Sequence, residues 1–133
     1  MNPTEISSLE IASNEVVQQA ARDFAAALAA TPQFQSFEAA AETMEHDTAA
    51  QEALHTFQAK QQELKMAQTL KTITLQEQDE FEKLRQAFLT QPSVVAFYQA
   101  QASLVAICQA AGDILSDSTG LNFAASACSS GCC

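Results

Sequence analysis

The 133-residue sequence contains little glycine and little proline, with three residues of each. Ordinary usage is roughly 7% and 5%, and these two residues punctuate chains built of short strands and turns. Val, Ile and Thr are sparse and never alternate with polar residues over the length of a strand. Ala, Gln, Glu and Leu, which favour helices, dominate instead. The sequence therefore predicts an all-α protein.

Positive charge is also scarce, since six Lys and Arg face 16 Asp and Glu for a formal net charge of −10. Nucleic-acid backbones and anionic lipid surfaces repel such a chain unless its cations cluster, and these do not form a basic run. We expect no direct binding of nucleic acid. The acidic balance is interpreted as one that keeps the protein soluble.

The sequence lacks an obvious targeting or membrane-spanning segment. Its first ten residues are polar and acidic, which does not fit a secretory signal. The most apolar stretch, 104–115, contains Gln109 and Asp113 and is shorter than the roughly 20 residues that a spanning helix needs. We expect a cytoplasmic protein without a membrane partner. Four cysteines in a reducing compartment indicate metal or redox chemistry rather than a disulfide framework.

Patterns that support catalysis are missing as well. His46 and His55 lie nine residues apart, match no H-E-x-x-H motif and are expected to be solvated. The acids at 77–82 are interpreted as the solvated face of a helix rather than a catalytic pair. No serine can be placed beside a histidine and an acid, so the chain is predicted not to be an enzyme.

Apolar periodicity and capping signals predict five helices. The predicted elements are a leader at 1–12, a helix from Ser13 or Asn14 to Thr31-Pro32, a short helix ending at 44–47, a helix capped by Asp47 or Thr48, a turn at 69–74, a helix that stops before Gln91-Pro92, and a helix from Pro92 or Ser93 to about Ser118. Proline suits the first turn of a helix and ends the helix before it, which marks two of these boundaries.

The fifth helix is apolar around well over half of its circumference, a pattern typical of a buried helix. We expect it to be the central element, with Cys108 as part of the core. Helices three and five would each reach roughly 35 Å and could pair as a long antiparallel hairpin, with helix four folded against it. The predicted fold is a five-helix antiparallel bundle with a long helical hairpin.

The last segment, 119–133, is small, uncharged and rich in Ser, and is predicted to be a flexible tail. It carries Cys128, Cys132 and Cys133 as a C-x3-C-C cluster. Thiolates at this spacing can bind zinc or an iron–sulfur cluster. The usual fourth ligand could be Cys108, a solvent molecule or a cysteine of another chain. The alternative is a disordered tail with incidental thiols.

Several short segments together carry a resemblance to a known family. They are Thr31-Pro32-Gln33-Phe34 with Phe37, Met44-Glu45-His46-Asp47, Phe57-Gln58, Leu75-Gln76-Glu77 and the segment QPSVVAFYQAQ at 91–101. The last is similar to an N-P-x-[IV]-x-x-[FY]-x-x-A pattern, although Gln91 replaces the asparagine. Over residues 13–118 the chain resembles the YlbF/YmcA family of small helical bacterial regulators.

The resemblance implies a helical bundle that assembles with itself or with relatives and acts in decisions such as competence, sporulation and biofilm formation. Some members work in a complex that modulates mRNA processing by an endoribonuclease. Members with cysteine tails help to hold [4Fe–4S] clusters there, and only Cys128, Cys132 and Cys133 qualify for that role here. Other members lack such a tail, so the bundle alone does not imply a cluster.

These observations lead to one main hypothesis about function. The chain is expected to be a non-enzymatic regulatory adaptor, a homo- or hetero-oligomer whose tail cysteines contribute to an iron–sulfur cluster shared with a partner. One alternative is a cluster-free oligomeric interaction bundle. Another is a zinc or thiol-redox protein that uses Cys132 and Cys133.

Overall fold

The computed structural model describes residues 13–123, and all regular structure within that range is helical. The elements are α1 (Asn14–Ala29), α2 (Pro32–His46), α3 (Thr48–Leu70), α4 (Leu75–Leu89) and α5 (Pro92–Thr119). The all-α, five-helix prediction is confirmed, and the helix boundaries fall close to the predicted ones. The predicted leader and the three tail cysteines lie outside the described residues.

Local signals set most of the helix ends. Before α2, the Thr31 hydroxyl oxygen accepts a hydrogen bond from the Phe34 amide at 3.2 Å, and Pro32 occupies the first position. Before α4, Thr74 and Glu77 form a reciprocal capping box. Gly120 ends α5 at a φ of 72°, a left-handed conformation that favours glycine.

The helices pack as two antiparallel pairs. In the α3–α4 hairpin the Phe57 ring lies 5.1 Å from that of Phe81 and 6.5 Å from that of Phe88, between ring centroids. In the second pair α2 lies against α5, where the rings of Phe37 and Phe97 are 5.3 Å apart. The predicted pairing of the third and fifth helices is therefore wrong. The third helix packs along the fourth because a four-residue connection returns the chain at once.

The two pairs meet at a junction formed by the end of α2, the start of α3, the end of α4 and the start of α5. Its core consists of Ala50, Phe88 and Val94, with the buried Ser93 beside them. These four are the only buried residues in the range 13–123. The fully covered interior of residues 13–123 is therefore concentrated where four helix ends converge.

Asp47 connects three of those helix ends. Its Oδ1 accepts a hydrogen bond from the Ala50 amide at 3.2 Å and so caps α3, while its Oδ2 accepts one from the Ser93 hydroxyl of α5 at 2.6 Å. The same residue follows the last residue of α2. The Ser93 hydroxyl, followed by the Ala50 amide, lowers the pKa of Asp47 below its ordinary value of 3.8, because both donors favour the charged carboxylate.

The expectation of a buried, central α5 is wrong for a single chain. Only Ser93 and Val94 of α5 are buried, and Cys108 is exposed rather than part of a core. The reason is length, since α2 has 15 residues and α5 has 28. The groove between them is lined by Gln33 and Ala40 of α2 and by Ala96 and Ser103 of α5, so α2 lies along the first half of α5 and does not extend over the rest.

Candidate functional site

The cysteines that the sequence singles out are only partly placed by the structure. Cys128, Cys132 and Cys133 lie outside the described residues, whereas Cys108 is exposed on α5. Within residues 13–123 no group of three or more His, Cys, Asp or Glu side chains is arranged to hold a metal ion. A metal centre on this chain would therefore depend on the tail thiols.

The described chain turns back along α5 before it reaches the tail. After Gly120, the amide of Phe123 donates a hydrogen bond to the Ser116 hydroxyl oxygen at 3.2 Å. Cys108 lies two helical turns before Ser116, about 12 Å along the axis. Cys128 follows Phe123 by five residues, which can span at most about 17 Å. Reach along the chain therefore permits Cys108 to act as a fourth ligand, one of the alternatives that the sequence leaves open.

The histidines are both exposed, in agreement with the sequence prediction. His46 lies at the end of α2, with its Nδ1 2.8 Å from the Glu42 carbonyl oxygen. His55 lies on α3, nine positions further along the chain. Neither ring is therefore brought into a shared site with the other.

A different candidate site becomes visible only in the structure, two exposed apolar helix faces that we together call the open face. It consists of the stripe Val17, Ala20 and Phe24 on α1 and the stripe Val105, Cys108, Gly112 and Leu115 on α5. Val17 is 59% exposed and Phe24 47%, while Val105 and Leu115 are 45% and 43% exposed. Apolar side chains at spacings of three and four that stay this exposed are typical of a surface that another helix covers.

Two stretches without charged residues reach the open face at Phe24 and at 105–112, and they are bordered by Asp23 and Asp113. Residues 24–37 contain no Asp, Glu, Lys or Arg, and neither do residues 92–112. These two uncharged stretches cover the end of α1, the start of α2 and most of α5. An interface core is typically depleted of charge in the same way. The sequence shows this signal, but apolar residues around α5 alone do not reveal whether the covering helix belongs to the same chain.

Helix α5 is also long and apolar enough, by length and composition alone, to cross a membrane. It has 28 residues, and its most apolar 18-residue window has a mean hydropathy of 1.4 with 6% of that window buried. The expectation that the apolar stretch at 104–115 is too short to cross a membrane is therefore wrong as regards the length of the helix that contains it. The start of α5 is nevertheless held by Asp47 and covered by α2, which carries Glu38, Glu42 and Glu45.

Comparison with known proteins identifies a family. A family model described as "Control of competence regulator ComK, YlbF/YmcA" matches residues 17–118, a range that begins in α1 and ends one residue before the end of α5. No curated protein and no solved structure was found to match the chain significantly. The family match covers more than half of the chain.

Proposed function

Because the chain belongs to the YlbF/YmcA family of competence regulators, we propose that it is a cytoplasmic, non-enzymatic regulatory adaptor that acts by assembling with other helical proteins. The family description supports a regulatory role. The adaptor role, the assembly and the location in the cytoplasm are the parts that we add. Partners of this kind would be further copies of the chain, its relatives or a complex that modulates mRNA processing.

One observation carries the proposal, the open face. Only four of the described residues are buried, while Val17, Phe24, Val105 and Leu115 of the open face remain between 43% and 59% exposed. Burial of apolar surface is the main favourable contribution to protein association. A chain that leaves regularly spaced apolar side chains exposed on two helices is suited to binding another protein.

We further propose that the tail thiols contribute to an iron–sulfur cluster shared with a partner. Cys128, Cys132 and Cys133 would be the ligands, and thiolates are the ligands that such clusters take. Cys108 supports this, because it is exposed and lies within reach of the tail. A bound cluster would supply bonds between chains, so that assembly would be more stable when the cluster is present. Zinc is the alternative ion for the same thiols.

The cluster proposal predicts a coloured protein. We expect anaerobically purified wild-type protein, together with its partners, to contain iron and sulfide and to absorb in the visible range. Replacement of Cys128, Cys132 and Cys133 by Ser is expected to remove most of the iron and sulfide. A Cys108→Ser variant tests the fourth ligand, and partial loss is expected there if Cys108 is a ligand.

Two outcomes would separate the alternatives in that experiment. Zinc without sulfide, lost in the triple variant, would support a zinc site. Metal-free protein with its partners present would leave the cluster-free bundle as the correct account. Circular dichroism of each variant provides the control for folding.

The regulatory role is tested in the organism that carries the chain. Deletion of the gene is expected to change transcription that depends on the competence regulator, and the wild-type gene supplied in trans should restore it. A variant with Val105→Glu and Leu115→Glu should fail to restore it, whereas Met66→Glu on α3 should succeed. Unchanged transcription after deletion would contradict the proposed regulatory role.

A further inference from the structure

The far end of the α3–α4 hairpin carries a groove that is lined by α3, α4 and their connection alone. Its floor is apolar and only partly buried, and consists of Leu64, Ile73 and Phe81. Its exposed rim is polar and includes Lys65, Gln68 and Glu82. Towards the connection the groove continues past Leu70 and Lys71. We call this surface the hairpin groove.

The shape of the hairpin groove fits a helix. Two antiparallel helices that lie side by side leave a furrow between them, and the side-chain ridges of a third helix pack into such a furrow. The lining runs along α3 from residue 61 to residue 71, which is about 15 Å, or nearly three helical turns. The floor can therefore take the apolar side chains of one face of a short helix.

The charged groups of the groove leave an excess of positive charge. Glu82 is already engaged, because its Oε1 accepts a hydrogen bond from the Arg85 guanidinium at 3.0 Å. Lys65 is exposed and takes part in no ion pair among residues 13–123. The ammonium of Lys71 lies 3.3 Å from the Glu77 carboxylate, and its side chain stays 60% exposed. Both lysines can therefore receive further carboxylates.

This local charge is opposite to that of the whole chain. Residues 64–76 contain two Lys and no Asp or Glu, although the formal net charge of the protein is −10. Complementary charge guides partners to a surface, and like charge rejects the wrong ones. The hairpin groove therefore selects an acidic segment over a basic one.

We propose that the hairpin groove binds an acidic amphipathic helix of a partner protein. Apolar side chains on one face of that helix enter the floor, and carboxylates beside them lie against Lys65 and Lys71. Recognition of an amphipathic helix by an apolar groove is a recurrent mode of protein binding. This inference rests on the proposed function in taking helical proteins as the partners. It adds the surface, which is separate from the open face, and the charge of the segment bound.

A short acidic helix fits the groove better than a membrane or a nucleic acid. Exposed charges are screened beyond roughly 10 Å at physiological salt, so a short segment meets mainly the two lysines. A bilayer or a long polynucleotide would extend over neighbouring surface, where acids outnumber bases in this chain of 16 Asp and Glu and six Lys and Arg. The half-buried floor also lies below the reach of a flat surface.

Binding of synthetic helices tests the proposal with the full-length protein. The first probe is a fluorescent peptide of about 16 residues, about 24 Å long as a helix, with Leu on one face and Glu and Ala on the others. The second probe carries Lys in place of every Glu. By fluorescence anisotropy in roughly 0.15 M salt, we expect saturable binding of the Glu probe, at least about tenfold tighter than that of the Lys probe. The preference should shrink as salt is added.

Variants locate the bound probe. Lys65→Glu with Lys71→Glu should weaken binding of the Glu probe by more than about tenfold and reverse the preference between the probes. Gln68→Trp fills the groove from an exposed position and should weaken binding of both probes. Arg22→Glu with Lys83→Glu is the matched control, because it changes the net charge equally at two positions outside the groove lining.

Met66→Glu is a second control, since Met66 is 69% exposed on α3 but does not line the groove. Both controls should bind the Glu probe as the wild type does. Circular dichroism confirms that each variant is folded.

Several results would overturn the inference. They are wild-type protein that does not bind the Glu probe, equal binding of the two probes, and binding that the groove variants leave unchanged. Tighter binding to phosphatidylglycerol vesicles or to single-stranded RNA, lost in Lys65→Glu with Lys71→Glu, would assign the groove to a membrane or to RNA instead. A lower mass of that variant in light scattering would assign it to another copy of the chain.

The regulatory role is tested separately, by transcription after gene deletion. A deletion effect without binding of the Glu probe would reject the groove proposal alone. Binding without any effect of deletion would reject the regulatory role alone.

Discussion

The α3–α4 hairpin covers its aromatic side chains with its own second helix, whereas α1 and the far half of α5 leave their apolar side chains in solvent. Within the described residues, all five salt bridges lie on the hairpin, between Lys60 and Arg85. Residues 92–112 on α5 contain no charge at all. The charged exterior of the hairpin indicates a surface that stays exposed to solvent. On α5, charge returns only at Asp113 and Asp117, and the uncharged stretch before them fits a surface that another protein covers.

Lys60 shows how the hairpin is connected across its two helices. Its ammonium lies 3.5 Å from the Glu63 carboxylate on α3 and 3.3 Å from the Glu80 carboxylate on α4. Partial burial opposes the charged form, but the hydrogen bond and charge of Glu80, together with Glu63, raise the pKa of Lys60 above its ordinary value. No ion pair among the described residues joins α1 to another helix, so α1 has no comparable polar attachment.

The largest expected effect separates the covered region from the exposed one. Phe88→Ala removes a buried ring from the junction and should lower the free energy of unfolding by about 3–5 kcal/mol. Phe24→Ala removes an equally large ring from α1 that is 47% exposed, so it should lower the unfolding free energy of a single chain much less. Urea unfolding followed by circular dichroism, with both variants at one low chain concentration, measures the difference.

Equal losses of unfolding free energy in Phe88→Ala and Phe24→Ala would contradict the contrast between the covered junction and the exposed α1. They would mean that the Phe24 ring is covered as fully as Phe88 in the molecule that unfolds. Repeating the measurement at high chain concentration sharpens the result. Self-assembly that covers α1 should increase the loss of unfolding free energy caused by Phe24→Ala, and it should change the loss caused by Phe88→Ala less.

A smaller effect is expected from the polar link at the junction. Because the folded pKa of Asp47 is lowered, its stabilising contribution is present above its ordinary pKa of 3.8 and is lost as the pH falls through and below that value. Ser93→Ala removes the largest cause of the lowered pKa. Wild-type protein should therefore melt at a higher temperature than Ser93→Ala near neutral pH, and the gap should narrow as the pH falls below about 4.

Melting temperatures across a pH series check this expectation. A gap of constant size down to pH values well below 3.8 would show that the Ser93 hydroxyl stabilises the junction without the Asp47 charge. Thr43→Ala is a matched control, because its hydroxyl donates only to a backbone carbonyl of its own helix, Ala39.

The smallest expected effect compares two helix starts. Thr74→Ala disrupts the capping box of α4 and should cost about 1 kcal/mol. Ser13→Ala should cost almost nothing, because the Ser13 side chain makes no capping hydrogen bond to α1. Thermal unfolding of the two variants measures the difference. A loss for Ser13→Ala as large as that for Thr74→Ala would show that α1 is fixed at its start as firmly as the hairpin.

The elements that the sequence predicts well are those set by local chemistry. Thr31-Pro32, Asp47 and Gln91-Pro92 each combine a capping or proline signal with a change in apolar periodicity, and the helices begin there. The family resemblance rests on the same segments and is confirmed by the match over residues 17–118. These signals act within a few residues, so a single sequence is enough to interpret them.

Which helices pair, and what packs against α5, could not be predicted in the same way. Apolar residues around a helix show that it prefers to be buried but not what buries it, so the expectation that Cys108 packs in a core was wrong for one chain. The link from Asp47 to Ser93 spans 46 positions and carries no local signal. The roles of Cys128, Cys132 and Cys133 remain predictions, because these residues lie outside the described range.

The exposed half of α5 has a consequence for the lifetime of the protein. A chain without its cover presents apolar side chains such as Ile114, 66% exposed, to the surrounding medium. Chaperones and proteases continuously remove molecules that are not fully folded, and small shifts in that balance change abundance several-fold. Chains that have no partner to cover this half of α5 would therefore be degraded first. The amount of regulator would follow the amount assembled rather than the amount synthesised.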